Sequence, residues 1–452
     1  MVGAGFAGLS AAVRLADMGT AVTLVEARPA PGGRAYSFHD VPSGDVVDNG
    51  QHLLMGCYTQ TLSFLRRLGT IDRLVVIPEV GIEMVAADGR RAVLRSMALP
   101  GPLHMGAALL RYRHLEAVER WRLVFGAARL VAMTRRDRAV LERMTVAELM
   151  DHLGQGERAR RCFWYPLAIA VLNEEPALAS AALLGEVVRR AFFGRRRDSS
   201  IIYARVGLSE LYCEAALAAI KAKGGTVILH CAVERLEVED ATVSGAVLRD
   251  GRRLAADYFV LAVPPQSVLR LLPAALAGNR DFARLAELGS SPIVCLHAWF
   301  DREITRAPVV GFIDTTVQWM FNKRRIFAPN GGPGRPGYLS FVMSGARSQL
   351  EVDNDALVAT VLSDLRQVLP ASRSARLLRA MPLKEKHATI AVSPASNRLR
   401  PATATALSNL FLAGDWIDTG LPPTIESAVE TGHRAAAAIG ARLGRPRAGY
   451  GA

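Results

Sequence analysis

Hydrophobic spacing along the chain changes period several times, and the changes mark its organisation. Leu9, Ala12, Val13 and Ala16 fall on one face of a helix that ends near Gly19. The apolar run Ala21-Val22-Thr23-Leu24-Val25 then predicts a buried strand. Between about 100 and 200 the pattern is mostly helical. Over Leu115–Met133, apolar residues recur at Leu115, Val118, Trp121, Phe125, Ala128 and Val131, with Arg120, Arg122 and Arg129 between them. Thr145 with Glu148, just before Leu149, predicts a capping box. From Gly224 the pattern turns to short strands. Thr226–His230, Ala232–Val238, Val243–Leu248 and Arg253–Val263 predict a meander that ends in Phe259-Val260-Leu261-Ala262-Val263. The Pro/Gly-rich stretch Asn330–Gly337 predicts an exposed turn. Near the end, Leu410-Phe411-Leu412-Ala413 predicts another buried strand, and Thr424–Ile439 a helix. No internal repeat or low-complexity tract interrupts this order.

Composition narrows the class. A chain of 452 residues is long enough for two or three domains. With 50% hydrophobic and 21% charged residues it is not a disordered chain. The 55 basic and 42 acidic residues leave a charge of +13. Only Lys221, Lys223, Lys323, Lys384 and Lys386 among the basic residues are lysines, so nearly all of the charge is arginine. Such a surface suits an anionic membrane as well as a nucleic acid. Charge alone is the only argument for nucleic acid, and no nucleic-acid partner is expected. Cys57, Cys162, Cys213, Cys231 and Cys295 are odd in number and scattered, without a C-x-x-C pair. That excludes a disulfide framework and the usual zinc spacings, so no metal is expected, and a reducing cytoplasm fits. The uncharged stretch Cys162–Leu172 is too short to span a bilayer. No signal peptide is expected ahead of a first motif that starts at Gly3.

That first motif carries chemistry. Gly3-Ala4-Gly5-Phe6-Ala7-Gly8 is G-x-G-x-x-G, followed by the helix, the strand and then Glu26-Ala27. The first glycine permits the tight turn, the second lets backbone approach a pyrophosphate, and the third lets helix and strand pack closely. The helix N-terminus faces the phosphates, and the acid closing the second strand takes ribose hydroxyls. The motif should follow a strand of about five residues. Only Met1 and Val2 precede it, so a few further apolar residues upstream are expected.

Gly3, Gly5, Gly8, Glu26 and Gly32-Gly33-Arg34 together resemble the flavin amine oxidase and phytoene (carotenoid) desaturase superfamily. Ala413-Gly414-Asp415 before a helix matches its second flavin motif, and Val233 matches the position whose backbone meets the adenine. Arg253–Pro265 resembles the strand that returns to the flavin domain. More narrowly, Asp48-Asn49-Gly50-Gln51-His52-Leu53-Leu54-Met55-Gly56 resembles the signature of the hydroxysqualene dehydroxylase family, also called squalene-associated FAD-dependent desaturases. Trp164-Tyr165-Pro166-Leu167 through Asn173, Lys384–Thr389, and Gly414-Asp415-Trp416 through Thr424-Ile425-Glu426 resemble the same family. The likeness runs through essentially the full length. The chain departs from it in the clipped first strand and in Tyr165, where the family more often has an acid.

The resemblance implies an α/β, Rossmann-like FAD-binding domain beside an α+β substrate domain. The first would be assembled from 1–75, 205–270 and 400–445, the second from 76–204 and 271–399. It implies non-covalent FAD, since no cysteine follows Cys295. Cofactor contacts would come from Gly3, Gly5, Phe6, Ala7, Gly8, Glu26, Ala27, Gly33, Gly50, Gln51 and Val233. Arg34 would neutralise a phosphate and Asp415 would accept from a ribityl hydroxyl. Gly414 belongs to the same motif, and the helix start at Thr424, Ile425 and Glu426 would face the flavin ring. The implied reaction is reductive loss of the allylic hydroxyl of hydroxysqualene, giving squalene for hopanoid synthesis. His52, Gln51, Lys386 and His387 are the candidates for assisting the leaving oxygen. The electron donor that reloads FAD is unidentified. So apolar a substrate implies a cytoplasmic enzyme held peripherally on the inner face of the bacterial membrane, docked through the Arg-rich helices. A carotenoid-type desaturase, a flavin amine oxidase and a scaffold that merely holds FAD are the alternatives.

Overall fold

The structure, a computed structural model, describes residues 1–77, 81–276, 278–327 and 336–445. Positions 330–335 of the turn expected at Asn330–Gly337 lie outside the described residues.

One layer is a parallel sheet of very short strands. Thr226–Ile228, Thr23–Val25, Val2, Phe259–Leu261 and Leu410–Leu412 lie side by side in that order. Val2 donates to Val260 O at 2.9 Å while Val25 donates to Met1 O at 2.8 Å, so Met1 and Val2 occupy the central position. These strands are continuously apolar because both faces are covered. The helix Phe6–Asp17 follows the fingerprint turn and is buried on almost every side. The C-terminal helix Ile425–Arg442 packs across it through Gly432, where a Cβ would stand 2.3 Å from Ala7 O.

The expected meander is corrected at both ends. Thr226–Ile228 belongs to the parallel sheet, and the continuous strand Arg253–Val263 is two strands. The meander proper is Val233–Glu239, Thr242–Leu248 and Arg253–Leu254. Exposed Ala255, Ala256 and Asp257 interrupt the run, and the fully buried Phe259–Leu261 then joins the parallel layer.

The second layer is a seven-stranded sheet. Its order is Leu377–Ile390, Ser290–Phe300, Gly337–Ser344, Trp319–Asn322, Val309–Ile313, Gly81–Ala86 and Arg91–Arg95. All neighbours are antiparallel except Val309–Ile313 with Gly81–Ala86. Alternation decides which residues face where. Val294, Leu296, Ala298 and Phe300 pack with Leu357, Val361, Leu365 and Val368 of the helix Asn354–Val368. Cys295 on the other face joins Phe321 and Val342.

Helices between 103 and 192 cover the remaining side. Thr145 and Glu148 form the expected capping box, with Glu148 N donating to Thr145 Oγ1 at 3.2 Å. The Arg-rich helix runs Ala117–Arg136 and buries Leu123, Ala127, Leu130 and Val131. The apolar spacing read from its sequence mixed two faces. Leu115 and Val131 are buried, whereas Val118, Trp121 and Phe125 stand in solvent.

The whole is a two-domain arrangement, an α/β nucleotide-binding half beside an α+β half. A small sheet of Leu54–Met55, Ile201–Ala204 and Leu74–Ile77 ties them together. The boundaries drawn near 75 and 204 run through this sheet.

Candidate functional site

A cavity of about 1110 Å³ runs from the fingerprint turn to the helices around Phe163. That exceeds the ~300–1,000 Å³ usual for one small ligand. Its two ends differ in chemistry.

At the first end the walls are backbone. Gly3, Gly5, Phe6, Ala7, Glu26, Ala27, Gly33, Arg34, Val233, Gly414 and Asp415 line it. Gly3 has φ +99°, and a Cβ there would stand 2.5 Å from Ala262 O. The helix Phe6–Asp17 has no side-chain cap and no acid in its first turn, so its leading N–H groups are open to an anion. Glu26 is held at the strand end by Ala4 N at 2.7 Å and Arg28 N at 2.9 Å. Arg34 pairs with Asp415 and donates to Ala388 O at 2.9 Å. Thr424 and Ile425 bring the start of a second helix to the same wall. A flavin dinucleotide needs an uncapped helix end, a ribose acid and a second helix N-terminus, and all three are present.

Two residues expected at the cofactor are not on the wall. Gly8 lies behind it, where a Cβ would stand 1.9 Å from Gly3 O, so it serves helix–strand contact. Glu426 is a correction. Its buried carboxylate accepts from Gln60 N at 2.8 Å, Thr61 N at 2.9 Å and Thr61 Oγ1 at 2.7 Å. It therefore caps the helix Thr59–Arg67 instead of facing a ligand. Burial pushes its pKa up despite those donors.

The other end is lined by side chains from distant segments. Leu94, Tyr112, Phe163, Leu167, Trp319 and Phe321 are among them. The π-type turn Arg160–Trp164, running into Tyr165–Leu172, supplies much of this wall. Such turns recur at binding sites because they shift side chains off the regular helical faces.

Between the ends stand Gln51, His52, Glu385 and Thr389. His52 Nδ1 lies 2.9 Å from Gly50 O, and a carbonyl only accepts, so Nδ1 carries the hydrogen. Burial lowers its pKa, partly opposed by Asp48. The ring is thus neutral near pH 7, with Nε2 an acceptor.

Lys386 and His387 are corrections. In the ladder Ser291 pairs with Thr389 and Ile293 with Glu385, so four steps on one strand answer two on the other. The bulge throws Lys386 and His387 into solvent, where His387 bonds Ser290 Oγ at 2.8 Å. Glu385 and Thr389, on either side, face the cavity. Glu385 lay inside a motif already singled out, and only the bulge decides between it and its neighbours.

Lys323 was not among the candidates the sequence offered. It is fully buried, with Nζ 2.7 Å from Asp48 Oδ2 and 2.7 Å from Gln51 Oε1. Its one available signal was a lysine two residues beyond the apolar run Trp319-Met320-Phe321.

The comparisons agree with this geometry. The profile of the flavin containing amine oxidoreductase family matches residues 6–440. A hydroxysqualene dehydroxylase of Rhodopseudomonas palustris is 30% identical over 459 residues, covering 96% of each chain. One from Sinorhizobium fredii is 29% identical over 454 residues, again covering 96% of each. An oxidoreductase of Methanosarcina mazei superposes with a TM-score of 0.75 at 16% identity, over 96% of this chain and 98% of that one. FAD is the cofactor, and the first end of the cavity has the residues that could hold it. An uncapped fingerprint helix, a ribose acid, a second helix start and a family profile over nearly the whole length lead to one assignment: the chain belongs to the flavin containing amine oxidoreductase family.

Proposed function

We propose that the protein reductively removes the hydroxyl of hydroxysqualene, releasing squalene and water. The observation that carries this reading is the shape of the cavity: a long apolar chamber that opens onto the nucleotide cradle past a few polar groups. Its relatives of 29–30% identity bear the name of that activity. Bound and reduced, FAD would supply one hydride and one proton, so that R–OH + FADH2 gives R–H + H2O + FAD. The apolar wall around Phe163 and Leu167 holds the hydrocarbon and keeps water from the carbon that loses its oxygen. Gln51, His52 and Glu385 are the polar groups that can meet the oxygen. Ile293 pairs with Glu385 and shares a strand face with Cys295, whose Sγ lies 3.8 Å from a Cβ placed on Gly50. Glu385 therefore stands beside the Gly50–His52 loop. Each turnover leaves the cofactor oxidised, so a separate two-electron donor must reload it.

Burying about thirty carbons at ~0.8 kcal/mol each favours apolar surroundings by roughly 20 kcal/mol. The substrate is accordingly collected from a membrane, and the protein works as a cytoplasmic enzyme resting on its anionic inner face. Among the described residues no helix is long and apolar enough to cross it. The supporting surface is the outer side of Ala117–Arg136. Trp121 and Phe125, 53% and 67% exposed, stack at 6.0 Å with Val118 exposed one turn before, an apolar group suited to the acyl boundary of a bilayer. Arg122 and Arg129 are exposed on the same helix, and Arg111 and Arg113 in the turn that precedes it, which suits anionic headgroups.

An anaerobic single turnover tests the chemistry. Reduced protein given hydroxysqualene should form one squalene per flavin reoxidised. Flavin that stays reduced sinks the proposal. Oxidised protein that dehydrogenates a polyene would replace it with the desaturase reading.

A further inference from the structure

A lysine and an aspartate buried together seldom stabilise a fold more than well-packed apolar residues of the same volume. What the ammonium of Lys323 adds at this place is direction. Its Nζ has only hydrogens to offer, and it spends them on Asp48 Oδ2, on Gln51 Oε1 and toward the Phe327 ring 3.9 Å away. Asp48 is anchored in turn by Leu208 N at 3.1 Å. The amide oxygen of Gln51 is therefore fixed on the lysine side, and Nε2 is turned the other way. Its contact with protein among the described residues is a long one, His52 O at 3.4 Å, and one N–H remains for the cavity that Gln51 lines.

We propose that Lys323 is a positioning residue that sets Gln51 as a hydrogen-bond donor to the departing hydroxyl oxygen. The idea rests on the dehydroxylation reading above. A donor aimed at an oxygen gains strength as negative charge builds there during C–O cleavage, so its effect falls on the chemical step more than on binding. Binding comes chiefly from the hydrocarbon, which Gln51 does not touch. With the amide reversed, the same side chain would present an acceptor and repel the oxygen.

The test is a double-mutant cycle on FAD-loaded protein, measured as single turnovers across substrate concentration. Gln51→Leu and Lys323→Met should each lower the rate constant roughly 10- to 100-fold while the half-saturating concentration moves less than about twofold. Flavin content should match the parent protein. In the Gln51→Leu background, Lys323→Met should cost less than about twofold more. Because Lys323→Met leaves Asp48 uncompensated, Asp48→Asn/Lys323→Met removes both charges and serves as the second variant. Full activity in either lysine variant overturns the proposal. So does a second large loss in the Gln51→Leu background, or loss of flavin in both lysine variants, which would make the pair purely structural. A parent protein that forms no squalene refutes the dehydroxylation reading, which is a separate result.

Discussion

At one end of the cavity the wall is Gly3, Gly5, Gly33 and Gly414, backbone brought to the surface by missing side chains. At the other it is Leu94, Tyr112, Phe163, Leu167, Trp319 and Phe321, side chains delivered from four separate stretches of chain. The first end recognises a ligand through N–H groups and helix termini, whose positions follow from local conformation. The second recognises it through volume and apolarity, which many combinations of residues satisfy. One end should therefore fail abruptly on small changes, and the other should yield by degrees.

The sharpest way to break that contrast is Gly8→Ala. The added Cβ would stand 1.9 Å from a backbone oxygen, with no flexible side chain to give way. At least a ~100-fold loss of FAD affinity is expected, about 3 kcal/mol, read as colourless purified protein that titrates weakly with FAD. Variant protein that purifies fully yellow would show that the first end tolerates adjustment after all. Leu167→Asp probes the other end. FAD content should be unchanged while the half-saturating substrate concentration rises roughly 10- to 100-fold, the cost of unmaking one buried apolar contact. Equal loss of flavin would mean the two ends are not independent.

Smaller effects sharpen the picture. Replacing Trp121 and Phe125 by Ser should weaken sedimentation with anionic vesicles about tenfold. Turnover of detergent-dispersed substrate should stay as it was, and a parallel loss there would place the pair in the cavity's own support. A last test compares the halves by acid. Burial lowers the pKa of His297, on the seven-stranded sheet, and of His433, on the C-terminal helix, to about 3 each. Both stay neutral in the folded state and protonate near 6.5 when unfolded. Their stabilisation is complete above that value and declines as pH falls toward 3, by up to about 1.4 kcal/mol per pH unit for each ring. If the halves unfold together, His297→Gln and His433→Gln should each flatten urea midpoints against pH by a similar amount. Two separate transitions would show that the halves melt independently.

The same contrast explains what could be read in the chain. Gly3 through Glu26 and Gly414-Asp415 were legible because their roles are set within a few residues by turn and helix geometry. Glu426 misled because its neighbours Thr424 and Ile425 do reach the wall, while its own side chain points to the helix Thr59–Arg67. Lys386 and His387 misled because the motif marks a stretch of strand, and only the bulge decides which of its residues face the cavity. Lys323 lies some 275 residues from Asp48, and no local pattern relates them. Trp121 and Phe125 sit at spacing that a core face would also show, and only packing reveals which side of the helix is covered.

The contact between Gly432 and Ala7 has a consequence for biogenesis. The cofactor cradle is closed by residues far apart along the chain, so it cannot form until translation has passed Gly432. At about 5–20 residues per second, translation holds the N-terminal fingerprint without its partner for roughly 20–90 s. Prematurely terminated chains lack that clasp entirely. FAD loading thereby waits on synthesis of the helix Ile425–Arg442, whose start forms part of the cradle wall.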